Sequence, residues 1–262
     1  MTQRQHVVVV FSGGPDSTAA ALWALEQGLD VHLLTFQFRA EDQYGELYAS
    51  MKVAESLRLR QTIIDWRSPM DVFSRNVHIL MHAGTPPKGA DLSKPHRLPF
   101  GAGVVLSTAA AFALYRGLPR LVWGATYDDA FGGNIEYTQE FADGIADLVA
   151  RSHGTEFRID VPFAKNHKYD VFKYFRGKED LFAQTWSCKL GSRTQSGKCH
   201  ACVARRLAAE IVALKDFTTY EATDYVRPLS AEQIANIETL SDDDLVHIFE
   251  SEKAEFVVMP AK

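Results

Sequence analysis

The stretch Val7-Val8-Val9-Val10-Phe11-Ser12-Gly13-Gly14-Pro15-Asp16-Ser17-Thr18 decides the fold. Consecutive β-branched residues with no polar alternation read as a strand, over 7–11, buried on both faces. The corner that follows opens onto Ala19-Ala20-Ala21-Leu22-Trp23-Ala24-Leu25, a helix over roughly 16–27 that Gly28 stops. In such a strand-to-helix corner, Gly13 and Gly14 let backbone N–H groups approach a ligand with no Cβ in the way. The helix N-terminus adds unpaired N–H groups and partial positive charge. Ser12, Ser17 and Thr18 offer hydroxyls, and Asp16 is placed to cap the helix or meet a metal ion. This nest suits phosphate or pyrophosphate. It lacks the lysine that the common phosphate-binding loop carries.

Outward from this unit the alternation recurs: strand 31–36, helix about 45–57, strand 61–65, helix 103–116, strand 120–124, helix 137–152 and strand 157–161. The stretch 68–100, with Pro69, Pro86, Pro87, Pro95 and Pro99, reads as an irregular, mobile segment beside the site. Apolar strands separated by helices predict an α/β fold: a doubly wound parallel sheet with helices on both faces and ligands beyond the carboxyl ends of the strands. The division expected is a nucleotide-binding domain over 1–180, a cysteine-bearing region over 181–215 and an acidic extension over 216–262, helical from Ser230 through Phe249.

A net charge of -5 over 262 residues argues against an extended nucleic-acid surface. No apolar run approaches the ~18 residues of a membrane span. The first residues pass straight into a strand and do not read as a signal peptide, so a cytoplasmic setting is expected. The cysteines are Cys188, Cys199 and Cys202, an odd, clustered set that suits metal better than disulfides. Two glycine-containing stretches are set aside. From Gly191 to Cys199 the spacing is one residue too long for a phosphate loop and ends in Cys, and Gly101-Ala102-Gly103 follows no strand and lacks a third glycine.

Ser12-Gly13-Gly14-Pro15-Asp16-Ser17 resembles the SGGxDS loop of the PP-loop ATP pyrophosphatases. That resemblance implies an adenine nucleotide alpha hydrolase-like fold and cleavage of ATP between its α- and β-phosphates. The loop then cradles a leaving pyrophosphate, which gives the missing lysine a reason. Thr185-Trp186-Ser187-Cys188, followed by Gly197-Lys198-Cys199-His200-Ala201-Cys202-Val203-Ala204-Arg205, resembles the QueC family, which converts 7-carboxy-7-deazaguanine, ATP and ammonia into the nitrile precursor of queuosine. Leu106 through Ala111, Gly124-Ala125-Thr126, Gln139-Glu140-Phe141, and Pro162 with Lys168 follow the family's order between about residues 7 and 210.

The resemblance implies ATP, Mg2+ and Zn2+. It assigns Ser12, Asp16, Ser17 and Lys168 to catalysis, and Phe11, Ser12, Gly13, Gly14, Asp16, Ser17, Thr18, Phe36 and Gly124 to the nucleotide. The family's zinc is structural and four cysteines hold it. One of them is Ser196 here, and a serine hydroxyl is a poor zinc ligand. Cys188, Cys199 and Cys202 remain, with the fourth position open among His200, another histidine such as His167, and water. The substrate segments depart from the family at Phe36 through Asp42, at Leu98 through Gly103 and at Asp129 through Phe141. There Asp129, Phe131, Glu136 and Tyr137 are the expected substrate contacts. Glu136 would accept the donors of a guanine-like base, and Phe131 and Tyr137 would stack on it. A surface glutamate, a solvated Lys168 and aromatic residues in the core are the plain alternatives. The implied partners are a small-molecule deazapurine, ammonia or an amine acceptor, which a protein can supply, and a second copy in a homodimer. Divergent members associated with antiphage defence use this chemistry on proteins. Another PP-loop enzyme, such as a tRNA thiolase or an amidotransferase partner, and a non-catalytic nucleotide-binding scaffold stand as alternatives.

Overall fold

A computed structural model describes residues 5–38, 44–66, 100–130, 134–189, 193–222 and 230–237. The strands β1 (His6–Val10), β2 (Asp30–Gln37), β3 (Arg60–Asp65), β4 (Arg120–Trp123) and β5 (Arg158–Asp160) form one sheet in the order β3-β2-β1-β4-β5. All neighbours are parallel, with Val7 opposite Val31 and Val8 opposite Leu121. The helices are α1 (Pro15–Glu26), α2 (Tyr44–Ser56), α3 (Gly101–Tyr115), α4 (Tyr127–Ala130), α5 (Gln139–His153), α6 (Lys168–Phe172), α7 (Glu179–Gln184), α8 (His200–Ile211) and α9 (Ala231–Ala235).

The valine run is the centre of the sheet because both its faces are covered. Val7 and Val9 turn to one side, against Ala19, Ala20, Ala21 and Ala24 of α1, with Phe172, Phe175 and Phe182 in the same core. Val8 and Val10 turn to the other, where Ala109, Ala110 and Ala113 of α3 and Ala142 and Ile145 of α5 are buried with them. This two-residue alternation makes the sheet doubly wound. Strand order departs from β1 in both directions, so the crevice between the ends of β1 and β4 is the switch point where ligands are expected. The loop 11–18 lies there.

Element ends shift where caps intervene. The helix expected from 137 begins at Gln139, because Thr138 Oγ1 accepts the Phe141 N–H at 3.2 Å and Ile135–Tyr137 forms a 3-10 turn. Most of the proline-bearing stretch, 68–99, lies outside the described residues, as does 238–262 of the extension. The start of the extension joins the cysteine-bearing segment: Gln195 and Tyr220 form a parallel bridge, and Ala222 N–H donates to the Ser196 carbonyl at 3.1 Å. Among the described residues no helix is long and apolar enough to cross a membrane.

Candidate active site

Phe11, buried at the end of β1, donates its N–H to the Leu34 carbonyl at 2.8 Å and carries the strand register into the corner. Gly13 then takes φ +83, and a Cβ on it would lie 2.5 Å from the Ser50 nitrogen of α2, so two independent demands select glycine. Gly14 is the N-cap of α1, with Pro15 in its first turn. The Gly14 carbonyl accepts Thr18 Oγ1 at 2.8 Å and Ser17 Oγ at 3.1 Å, while Ser12 Oγ accepts the Gly14 N–H at 3.2 Å. The hydroxyls thus fix the loop's shape, and the first-turn N–H groups of α1 have no intrahelical acceptor. Gly124 completes the corner from below. A Cβ there would meet the Asp16 carbonyl at 2.6 Å, so only glycine lets the end of β4 lie under α1.

Asp16 does not cap α1. Its Oδ2 takes the Nζ of Lys168 at 2.5 Å, across 152 residues of sequence. A lysine from the start of α6 thus stands beside the loop in space. Asp128, which the sequence did not single out, positions it: its carboxylate accepts the Lys168 backbone N–H at 2.5 Å and pairs with His167 Nδ1 at 3.0 Å. Asp129 Oδ2 accepts both the N–H and the hydroxyl of Thr126, each at 2.9 Å. Burial would lower the Lys168 pKa, but Asp16, then Asp129 and Asp128, more than offset it, and Lys168 stays charged. Burial pushes Asp16 up against the pull of Lys168, and Asp129 and Asp128 push the same way. Asp16 Oδ1 is buried and has no hydrogen-bond partner among the described residues.

On the β2 side, Phe36 stacks on Phe38 with centroids 5.9 Å apart and lies 5.4 Å from Trp66. Phe38 and Trp66, also missed in the sequence, extend Phe36 into an aromatic shelf at the carboxyl ends of β2 and β3. On the β4 side, Glu136 spends its two oxygens on α3, accepting the N–H groups of Phe100 at 3.0 Å and Ala102 at 2.9 Å. It thereby caps a helix whose N-cap, Phe100, is left-handed at φ 59. Each of its oxygens keeps a second lone pair for another donor. Tyr137 stacks on Trp123 at 5.2 Å. Phe131 lies outside the described residues.

The cysteines converge. The Sγ atoms of Cys188, Cys199 and Cys202 all lie within 4.8 Å of one another. Cys199 is the N-cap of α8, so the two-residue spacing brings Cys202 back on the first turn, with sulfurs 3.4 Å apart. Cys188 and Cys199 are 4.0 Å apart. Tetrahedral zinc with bonds of about 2.3 Å needs sulfurs about 3.8 Å apart, and these separations bracket that value. The triad therefore fits three corners of such a site. Ser196 Oγ, 3.4 Å from Cys188 Sγ and 3.9 Å from Cys202 Sγ, stands nearest the fourth. His167 is engaged with Asp128, and the side chain of His200 lies outside the described residues. Hydrogen bonds with Cys199, then with Cys202 and Ser196, outweigh burial and lower the Cys188 pKa, while contacts with Cys188, then with Cys199, and burial push Cys202 up.

Arg205, one turn beyond Cys202 and fully buried, locks this region together. It donates to Thr185 Oγ1 at 2.6 Å, the Phe182 carbonyl at 2.7 Å and Thr218 Oγ1 at 2.8 Å, and pairs with Asp216 at 3.4 Å.

The chain matches the family described as queuosine biosynthesis protein QueC over residues 6–213. It is 28% identical over 232 residues to the 7-cyano-7-deazaguanine synthase of Sulfolobus acidocaldarius, covering 84% of this chain and 48% of that protein. It is 26% identical over 232 residues to the 7-cyano-7-deazaguanine synthase of Psychromonas ingrahamii, covering 84% of this chain and 99% of that protein. The chain thus spans about half the length of the first of these relatives and nearly all of the second. Among solved structures, the U34-tRNA thiolase NcsA from Methanococcus maripaludis aligns with a TM-score of 0.46 at 12% identity, over 97% of this chain and 72% of that one.

Proposed function

The chain belongs to the QueC family, and on that premise we propose that it activates the carboxylate of 7-carboxy-7-deazaguanine with ATP and passes the acyl group to nitrogen. A carboxylate resists attack by an amine because oxide would have to leave. In the proposed first step a carboxylate oxygen bonds to the α-phosphorus of ATP, the bond from that phosphorus to the α,β-bridging oxygen breaks, and pyrophosphate departs. In the second, ammonia or an amine bonds to the acyl carbon, AMP leaves with the carboxylate oxygen, and the nitrogen gives its proton to solvent. The product is an amide. With ammonia, a second adenylation on the amide oxygen and loss of AMP and protons gives the nitrile, preQ0.

The observation that carries this reading is Lys168 held at the loop corner by Asp16. A fixed cation beside a glycine-built nest of N–H groups is what charge developing on a leaving pyrophosphate requires. Ser12, Ser17 and Thr18 with the N–H groups of Gly13 and Gly14 would hold that pyrophosphate. Phe11, Phe36 and Gly124 would border the adenosine, with Phe38 and Trp66 extending the stacking surface. Asp129, Glu136 and Tyr137 would face the deazapurine. Mg2+ would neutralise the phosphates, and Asp16 Oδ1, without a hydrogen-bond partner among the described residues, would be an oxygen able to hold it. Cys188, Cys199 and Cys202 would hold zinc as a structural cross-link.

Incubation of the protein with ATP, Mg2+ and 7-carboxy-7-deazaguanine, with and without ammonia, tests the reading by mass spectrometry. AMP with a nitrile or free amide identifies ammonia as the acceptor. AMP with a mass increment on a protein identifies a protein amine, the defence-type chemistry. Absence of AMP under both conditions overturns the proposal.

A further inference from the structure

Among the described residues, Trp186 joins the cysteine triad to the ATP loop. The backbone N–H of Trp186 donates to the Gly13 carbonyl at 3.0 Å, at the one loop residue with positive φ. Its own carbonyl would lie 3.3 Å from a Cβ on Gly14, and its ring occupies the space over Gly45 of α2, where a Cβ would come within 2.4 Å of Cζ2. The ring N–H donates in the other direction, to the Cys188 carbonyl at 2.9 Å. Cys188 Sγ is held by the Ser196 N–H at 3.3 Å, and the neighbouring Ser187 N–H by Gln195 Oε1 at 3.0 Å. Among the described residues, the two hydrogen bonds of Trp186 therefore run to the glycine turn and to a cysteine of the triad.

We infer that Trp186 is a positioning residue that couples metal in the cysteine triad to nucleotide in the loop. Metal fixes Cys188 relative to Cys199 and Cys202, which fixes the Cys188 carbonyl, the indole above Gly45 and the Gly13 carbonyl in turn. A loop already ordered in this way loses less freedom when nucleotide binds. Coupling is reciprocal, so nucleotide tightens metal binding by the factor by which metal tightens nucleotide binding. The inference rests on the reading of residues 11–18 as the ATP site.

The test uses the zinc-loaded protein and α,β-methylene-ATP. Zinc affinity is measured by equilibrium competition with a chromophoric chelator, with and without the nucleotide, and nucleotide binding is measured separately by calorimetry. Saturating nucleotide should tighten zinc at least about fivefold, the lower end of ordinary coupling. Trp186→Phe keeps a ring over Gly45 but loses the bond to the Cys188 carbonyl, and should give most of that factor away. Trp186→Ala should bring it close to one. Equal zinc affinities with nucleotide demonstrably bound, or full coupling in both variants, overturn the inference and leave the ATP reading intact. Absence of nucleotide binding overturns the ATP reading and the inference with it, and a triad that takes up no zinc overturns the inference. Should Trp186→Ala fail to fold, Trp186→Phe decides.

Discussion

The loop after β1 and the segment from Thr185 to Arg205 meet at Trp186, yet they are built on opposite principles. The loop is backbone geometry: φ +83 at Gly13, and closeness at Gly13 and Gly124 that no Cβ permits. The cysteine-bearing segment is side-chain chemistry, with sulfurs on one flank and the buried Arg205 fork on the other. A backbone device depends on a few neighbouring residues and fails when something is added. A side-chain device depends on partners brought from afar and fails when something is removed.

Removing Arg205 is the harshest way to break the contrast. Arg205→Met leaves Asp216, whose side chain is 12% exposed, without its guanidinium. Loss of one partner of a buried pair costs about 3–5 kcal/mol. In the intact protein burial would raise the Asp216 pKa, but Arg205, then Thr218 and Tyr220, hold it below the ordinary carboxylate range. The sign follows: the pair's contribution is present above the unfolded value near ~3.9 and is lost as pH falls through the folded value. In Arg205→Met burial is opposed only by the hydrogen bonds of Thr218 and Tyr220, so the Asp216 pKa rises and the gain in stability with pH near about 4 should shrink. Urea unfolding at several pH values reads both the loss and the flattened slope. An unchanged slope would separate Asp216 from Arg205.

Lys168 tests the loop side, since it is a charged side chain imported into a backbone device. Lys168→Ala should lower AMP formation about 10²–10³-fold, the range for loss of one fixed group stabilising developing charge. Zinc binding should be unaltered. A drop below about threefold, against that range, would make Lys168 a scaffold residue. Its place also shows where sequence reading stops. Gly13, Gly14 and the valine run carry their requirements within a dozen residues, so strand, turn and helix were legible. Lys168 was picked out, but its contact with Asp16 spans 152 residues, and Asp128 reaches it only because β4 and β5 are neighbours. That Glu136 also caps α3 was not legible, because nothing local reveals that the N-terminus of α3 arrives beside it. Trp66 and Phe38 gave no signal beyond being aromatic at strand ends.

Addition should damage the loop where removal damages the cysteines. Gly124→Ala drives a methyl to within 2.6 Å of the Asp16 carbonyl. Overpacking of this kind costs about 1–3 kcal/mol, and α1 must move to relieve it. Thermal melting should show that loss, and nucleotide affinity should fall with it. Melting unchanged and affinity intact would mean that the corner tolerates a Cβ and that the closeness of β4 to α1 is incidental.

The smallest effect expected is a gain. Ser196 Oγ sits 3.4 Å from Cys188 Sγ and accepts the N–H groups of Lys198 and Cys199, each at 3.4 Å. An Sγ at that place would find the same neighbours and add a fourth thiolate, a far better zinc donor than a hydroxyl. Ser196→Cys should therefore tighten zinc about tenfold, or about 1.4 kcal/mol, read by competition with a chelator at fixed pH. Part of the gain is lost to packing, because sulfur is larger than oxygen and Ser196 is buried. The result sharpens the contrast from its other side: a side-chain device can be improved by one atom, since its shape is held by neighbours already in place. Weaker zinc in the variant would show that Ser196 shapes the pocket around three sulfurs and is not a vacant fourth corner.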